Sequence, residues 1–137
     1  MFNFIVKYFG FLKHVPFFPH LFEAWLKIFV LISNKKILDY VDEVENEVLS
    51  WKNTSIHIHK FGGIQFNLNK KELGHIHGNG LLDILFSKMT KSQLLKEGKV
   101  GDHHTFKNSG WTTFKIKTEE DKKSAIELLK QAYSLHS

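Results

Sequence analysis

The sequence predicts an α+β domain: an antiparallel sheet of about five strands, packed by a C-terminal helix and preceded by N-terminal helices. Three observations carry this expectation. Apolar residues recur at helical spacing up to Trp51; from Ser55 to Phe86 the period falls to two, punctuated by glycine and asparagine; and after Thr118 the helical period returns. A chain of 137 residues, 42% of them hydrophobic, suits one domain with a substantial core.

Residues 1–34 hold eight of the thirteen phenylalanines, and Pro16 and Pro19 divide them into two short helical pieces. In the second piece Leu21, Phe22, Trp25, Leu26, Phe29 and Ile32 form a wide apolar face, with Glu23 and Lys27 spaced for a surface ion pair. After a break at Ser33-Asn34, a third helix presents Ile37, Val41, Val44, Val48 and Trp51 on one face and Asp39, Asp42, Glu43, Glu45 and Glu47 on the other. Residues 1–34 are expected to be accessory to a domain spanning 35–137.

Ile56 and Ile58 then alternate with His57 and His59, Gly62-Gly63 interrupts, and Ile64, Phe66 and Leu68 alternate with Gln65, Asn67 and Asn69. A polar turn over Asn69 to Glu72 leads to a third strand from Gly74 to Gly78 and a fourth from Leu81 to Phe86. A three-residue turn, Gly78 to Gly80, sets His75 opposite Asp83 and Ile76 opposite Leu82, with Gly80 in the left-handed bulge position; a two-residue turn would face polar against apolar. Pairing Phe66 with Ile76 places Gln65 and Asn67 beside His77 and His75. Ser87 or Thr90 caps a short helix ending at Gly98. A loop with Asp102-His103-His104 follows, then a last strand through Trp111, Thr113, Phe114 and Ile116. Thr118 with Asp121 resembles a capping box, and the final helix buries Ala125, Ile126, Leu128, Leu129, Ala132 and Tyr133.

Composition excludes several chemistries. With no cysteine there is no disulfide, thiolate nucleophile or Cys-based metal site. The net charge of +5 rests on 19 lysines and no arginine, so specific base reading, which favours arginine's planar bidentate fork, is disfavoured. Weak, salt-sensitive, non-specific nucleic-acid binding is the most this charge predicts. Lys7, Lys13, Glu23 and Lys27 interrupt the apolar start, against both a signal peptide and a spanning helix. The expected location is cytoplasmic. The apolar face of residues 1–34 has two readings: packing on the core or on a second copy, or peripheral anchoring on a membrane, giving a membrane-associated form.

The segments His59-Lys60-Phe61-Gly62-Gly63, Glu72-Leu73-Gly74-His75-Ile76-His77-Gly78-Asn79-Gly80, Leu82-Asp83-Ile84, His103-His104 and Ser109-Gly110-Trp111, with the closing run from Leu128-Leu129 to Tyr133, together resemble the luciferase-domain family. That bacterial and fungal family is also carried as a domain of unknown function, and the resemblance spans roughly residues 44 to 135. The order of elements is more distantly similar to MmcQ/YjbR-like double-wing domains, suspected of binding DNA. Nothing in these residues names a luciferin, a flavin or an oxygen site, so the family label does not carry light production. Where the family pattern usually shows arginine after its first motif histidine, this chain has Lys60, which weakens bidentate anion binding.

The candidate ligand-binding residues are His57, His59, Gln65, Asn67, His75, His77, Asp83, His103, His104, Ser109 and Trp111. Each His-x-His pair on a strand presents two imidazoles to one side, and two histidines with a carboxylate suit a divalent transition metal, so His75, His77 and Asp83 are the candidate metal ligands. Asp83, between Leu81 and Leu85, needs a partner if buried, and His75 across the strands supplies one. Ser109 activated by a neighbouring histidine would be a nucleophile, but no nucleophile-elbow pattern surrounds it. The expected function is a non-catalytic binding or interaction module with a small-molecule or protein partner; the alternative is a metal-assisted enzyme using the same face.

Overall fold

The computed structural model describes residues 17–33 and 35–137. The first helical piece expected before Pro16, with Lys7, Lys13 and His14, lies outside the described residues. Helix α1, Phe18–Ser33, takes Pro19 into its first turn, where a missing N–H breaks no helical bond. Helix α2, Lys35–Leu49, begins after the expected break and buries Val41, Val44 and Val48, leaving Asp39, Asp42 and Glu43 in solvent.

The sheet strands are β1 Thr54–Ile58, β2 Ile64–Leu68, β3 Lys71–Ile76, β4 Leu81–Leu85, β5 Gly101–Asp102 and β6 Trp111–Lys115. They lie in the order β1-β2-β3-β4-β6-β5, every neighbouring pair antiparallel. Six strands form where about five were expected, because the residues before His103 add a two-residue edge strand against β6. The polar turn is shorter than expected: Asn69 takes a left-handed φ of 55°, and β3 starts at Lys71.

The turn between β3 and β4 has the expected three residues and register. His75 faces Asp83 and Ile76 faces Leu82, the Gly80 N–H donates to the His77 carbonyl at 2.8 Å, and Gly80 has φ 80°. The preceding hairpin is shifted by two residues from the expectation: Phe66 pairs with Gly74 and Ile64 with Ile76, so Gln65 sits opposite His75. A shift of two keeps each side chain on its expected face. Beyond Phe66 the register breaks, and Asn67 pairs with Glu72, leaving Leu73 as the extra residue of a bulge.

Helix α3, Lys88–Lys96, is capped by Ser87 and closes on Gly98, whose φ is 68°. Helix α4, Glu119–His136, starts with the capping box of Thr118 and Asp121. Helices α2 and α4 cover one face of the sheet. There Val44, Val48, Ala125, Leu129 and Ala132 pack on Phe66, Leu73, Ile76, Leu82 and Ile84. Each large side chain sealed in this layer contributes roughly 1.5–3 kcal/mol by leaving water, which fixes the sheet that carries the opposite, polar face.

Candidate functional site

Strand register aligns His57, Gln65, His75, Asp83 and Thr113 in one row across the opposite face. The centre of that row is closed to water: His75 and Asp83 are 8% and 1% exposed. His75 Nδ1 lies 2.9 Å from Glu72 Oε1, and its Nε2 lies 3.4 Å from Asp83 Oδ2. Burial works against a charged ring, but these two carboxylates outweigh it and hold the His75 pKa above the ordinary imidazole value. For Asp83, burial likewise favours the neutral acid, while hydrogen bonds from His75 and the Thr113 hydroxyl prevail and keep its pKa below the usual range.

Two further histidines arrive from turns rather than strands. His59 stacks on His75 with ring centres 3.9 Å apart and planes 9° from parallel. Its Nδ1 accepts from the Phe61 N–H at 3.4 Å, which puts the proton on Nε2, 3.7 Å from Glu72 Oε1. His103 repeats the device: its Nδ1 accepts from the N–H groups of Thr105 and Phe106, and Nε2 points to Asp83 Oδ2 at 3.7 Å. Burial pushes both rings down to about 4, with the like charge of His75 adding to it at His59 and those of His104 and His75 at His103, so each is neutral at neutral pH. The His103 loop is fixed by buried Lys91, which pairs with Asp102 at 2.6 Å and donates to the carbonyls of Lys107 and Ser109.

The fourth ring, His77, is held from outside the sheet. Glu23 of α1 accepts from the Gly78 N–H through Oε1 and sits 2.9 Å from His77 Nδ1 through Oε2. Glu23 is therefore no partner in an exposed pair with Lys27: it is 7% exposed and turned into the domain. Burial would raise its pKa, but the His77 and Gly78 hydrogen bonds and the nearby positive charge of Lys27 bring it below the usual value. Two glycines make the seat for α1. A Cβ on Gly62 would stand 2.8 Å from the Pro19 carbonyl oxygen, and one on Gly78 would stand 2.3 Å from Lys27 Cγ.

Among the candidates from sequence, His59, His75, His77, Asp83 and His103 come together, with Trp111 5.3 Å from the His75 ring centre. The rest stand apart. His57 is exposed at the edge strand and contacts Ser55; Gln65 donates to Asn67 Oδ1 at 2.8 Å on the same face; His104 stacks on His103 from the solvent side. The Ser109 hydroxyl donates to the Phe106 carbonyl at 2.6 Å and accepts from the Trp111 N–H, a turn-closing role.

Glu72, Glu23 and Thr113 were missed. Strict alternation puts Glu72 on the core side, and the bulge at Leu73 brings it round to His75. Glu23 did carry a signal, as the single acid before Asp39. Thr113 is found only through the β4–β6 register.

Chemically, the cluster gathers three carboxyl groups, Glu23, Glu72 and Asp83, around four imidazoles, two of which are held neutral. Two trios offer converging ligand atoms, each within 4.8 Å of one another: His75, His77 and Asp83, and His59, Glu72 and His75. The first is the trio expected from the sequence.

A family model described as Luciferase domain matches residues 70–132, a shorter stretch than the resemblance suggested. No curated protein and no solved structure matches the chain. None of these comparisons links the chain to MmcQ/YjbR-like domains. Glu72, His75, His77, Asp83, His103, Thr113 and the sheet row between them all fall within the matched residues, a stretch of the chain that is similar to the luciferase-domain family.

Proposed function

We propose that the domain is a binding module whose His75-centred cluster takes a divalent transition-metal cation, with His75, His77 and Asp83 as ligands. The carrying observation is the convergence of those three ligand atoms within 4.8 Å. Three carboxyl groups beside rings of which two are held neutral favour a bound cation. Two imidazoles with one carboxylate are a donor set for zinc, iron, manganese or cobalt rather than calcium or magnesium. Such an ion takes the place of a proton on His75, so its affinity falls as pH falls. The engagement of the Ser109 hydroxyl in its own turn weighs against Ser109 as a histidine-activated nucleophile.

The test uses the full chain without an affinity tag. Elemental analysis followed by calorimetric titration with zinc and manganese should give one ion per chain. Asp83→Asn should abolish uptake, at a stability cost of about 3 kcal/mol for breaking a buried pair. His77→Gln should weaken it at least tenfold while the fold persists. A chain that neither retains nor takes up either metal would refute the reading.

A further inference from the structure

The inner face of α1 is accounted for by Glu23 and by Leu26, which is 3% exposed. The outer face is not. Leu21, Trp25, Ile28 and Ile32 are 68%, 43%, 58% and 83% exposed and recur at intervals of four, three and four residues, one continuous stripe that Phe17 extends at the start of the helix. Apolar stripes of this kind on a soluble domain mark a contact with something else. The charge around the stripe decides what.

Residues 1–36 contain five lysines, Lys7, Lys13, Lys27, Lys35 and Lys36, and one acid, Glu23. That acid faces inward to His77 and the Gly78 N–H. Among the described residues of this segment, Lys27, Lys35 and Lys36 are exposed, so its outward charge is wholly positive. We propose that the outer face of α1 lies in the plane of an anionic lipid surface, with Leu21, Trp25, Ile28 and Ile32 in the headgroup and acyl boundary and the flanking lysines on lipid phosphates. Trp25 has the amphipathic ring that such boundaries select. A helix of 16 residues spans only about 24 Å, less than the ~30 Å hydrocarbon core, and no described helix is long and apolar enough to cross a membrane. The helix therefore lies along the surface. A second copy fits worse, because pairing two such stripes brings lysine against lysine, and the acid that faces Lys27, Glu45 of α2, is half-buried in its own chain.

The proposal is independent of any metal, and flotation of the full chain tests it. Vesicles of phosphatidylcholine with phosphatidylglycerol should carry the chain upward at low salt, and vesicles of phosphatidylcholine alone should not. Ile28→Glu with Ile32→Glu should cut binding at least tenfold, and Lys35→Gln with Lys36→Gln about fivefold per lysine removed. These positions are exposed, so circular dichroism should show an unchanged fold. Equal binding to neutral vesicles, binding unaffected by either pair, or no flotation at all would overturn the proposal. So would a dimer in light scattering that the Ile28/Ile32 pair dissociates while vesicles bind nothing, which would give the stripe to a second copy.

Discussion

The two faces of the sheet are held by opposite logics. On the α2 and α4 side, Phe66, Ile76, Leu82 and Ile84 are apolar, come from regular strand positions and need only volume to fit. On the α1 side, the centre is as dry, with Asp83 less exposed than Phe86, yet it consists of ionisable groups that are stable only because each has a partner. The first face survives changes of shape poorly and changes of pH well. The second should do the reverse, since a like-shaped substitution or a proton can leave a buried charge unpaired.

Acid separates the two faces most strongly. His59 and His103 are held at about 4 in the fold and return to the ordinary imidazole value when unfolded. As pH falls below ~6.5 the unfolded chain takes up protons that the folded cluster refuses, so the stability present at neutral pH is progressively lost towards pH 4. At pH 5 the loss is about 2 kcal/mol per ring. His75 acts in the other direction: its raised pKa adds stability that is complete below the free imidazole value and disappears as pH rises through its folded pKa. Asp83 and Glu23, both held low, weaken the fold only when pH drops into the carboxylate range. The metal-free chain should thus be most stable near neutrality and clearly less so at pH 5. Urea midpoints that do not change between pH 7 and pH 5 would show that the two rings are not held neutral.

The same contrast explains what the sequence revealed. The core face was legible because a period of two, interrupted only at turns, needs nothing but local chemistry: the His75–Asp83 register followed from turn length and from matching Ile76 to Leu82. The polar face was legible only in part. His75, His77 and Asp83 obey strand alternation and were recognised together. Glu72 does not, because the Leu73 bulge rotates it by one position, and no single sequence marks where a bulge will fall. The Phe66 pairing missed by two residues for a different reason: hydrophobic pattern fixes the face of a strand but not its sliding along a neighbour. Glu23 lies more than fifty positions from His77, and only tertiary packing reveals that the acid of an aromatic helix points inward.

A smaller effect is expected where the polar face meets α1. Glu23→Gln keeps the shape of the side chain but removes the charge beside His77 and weakens the bond from the Gly78 N–H, for a loss of about 2 kcal/mol. Because α1 also rests on Gly62 and Gly78, the loss should be local: hydrogen exchange should quicken in α1 and in the turn after β3 while the α2 and α4 layer is unchanged. Exchange that quickens across the whole sheet would mean that α1 is part of the core, and that the expectation of an accessory segment over residues 1–34 fails.

The smallest effect tests the boundary of the cluster. His57 occupies the same sheet row as His75, two strands away, and the sequence treats the two His-x-His pairs alike. What differs is cover. β1 is an edge strand, so the His57 ring is exposed and its contact is with the Ser55 hydroxyl at 3.2 Å, whereas His75 is roofed by the His59 ring and flanked by Trp111. An exposed polar ring at a sheet edge contributes little, and His57→Ala should change stability by no more than about 0.5 kcal/mol. It should also leave zinc uptake unchanged, where His77→Gln does not. A tenfold loss of metal affinity in His57→Ala would extend the site to the edge strand and place Gln65, between the two rings, among its residues.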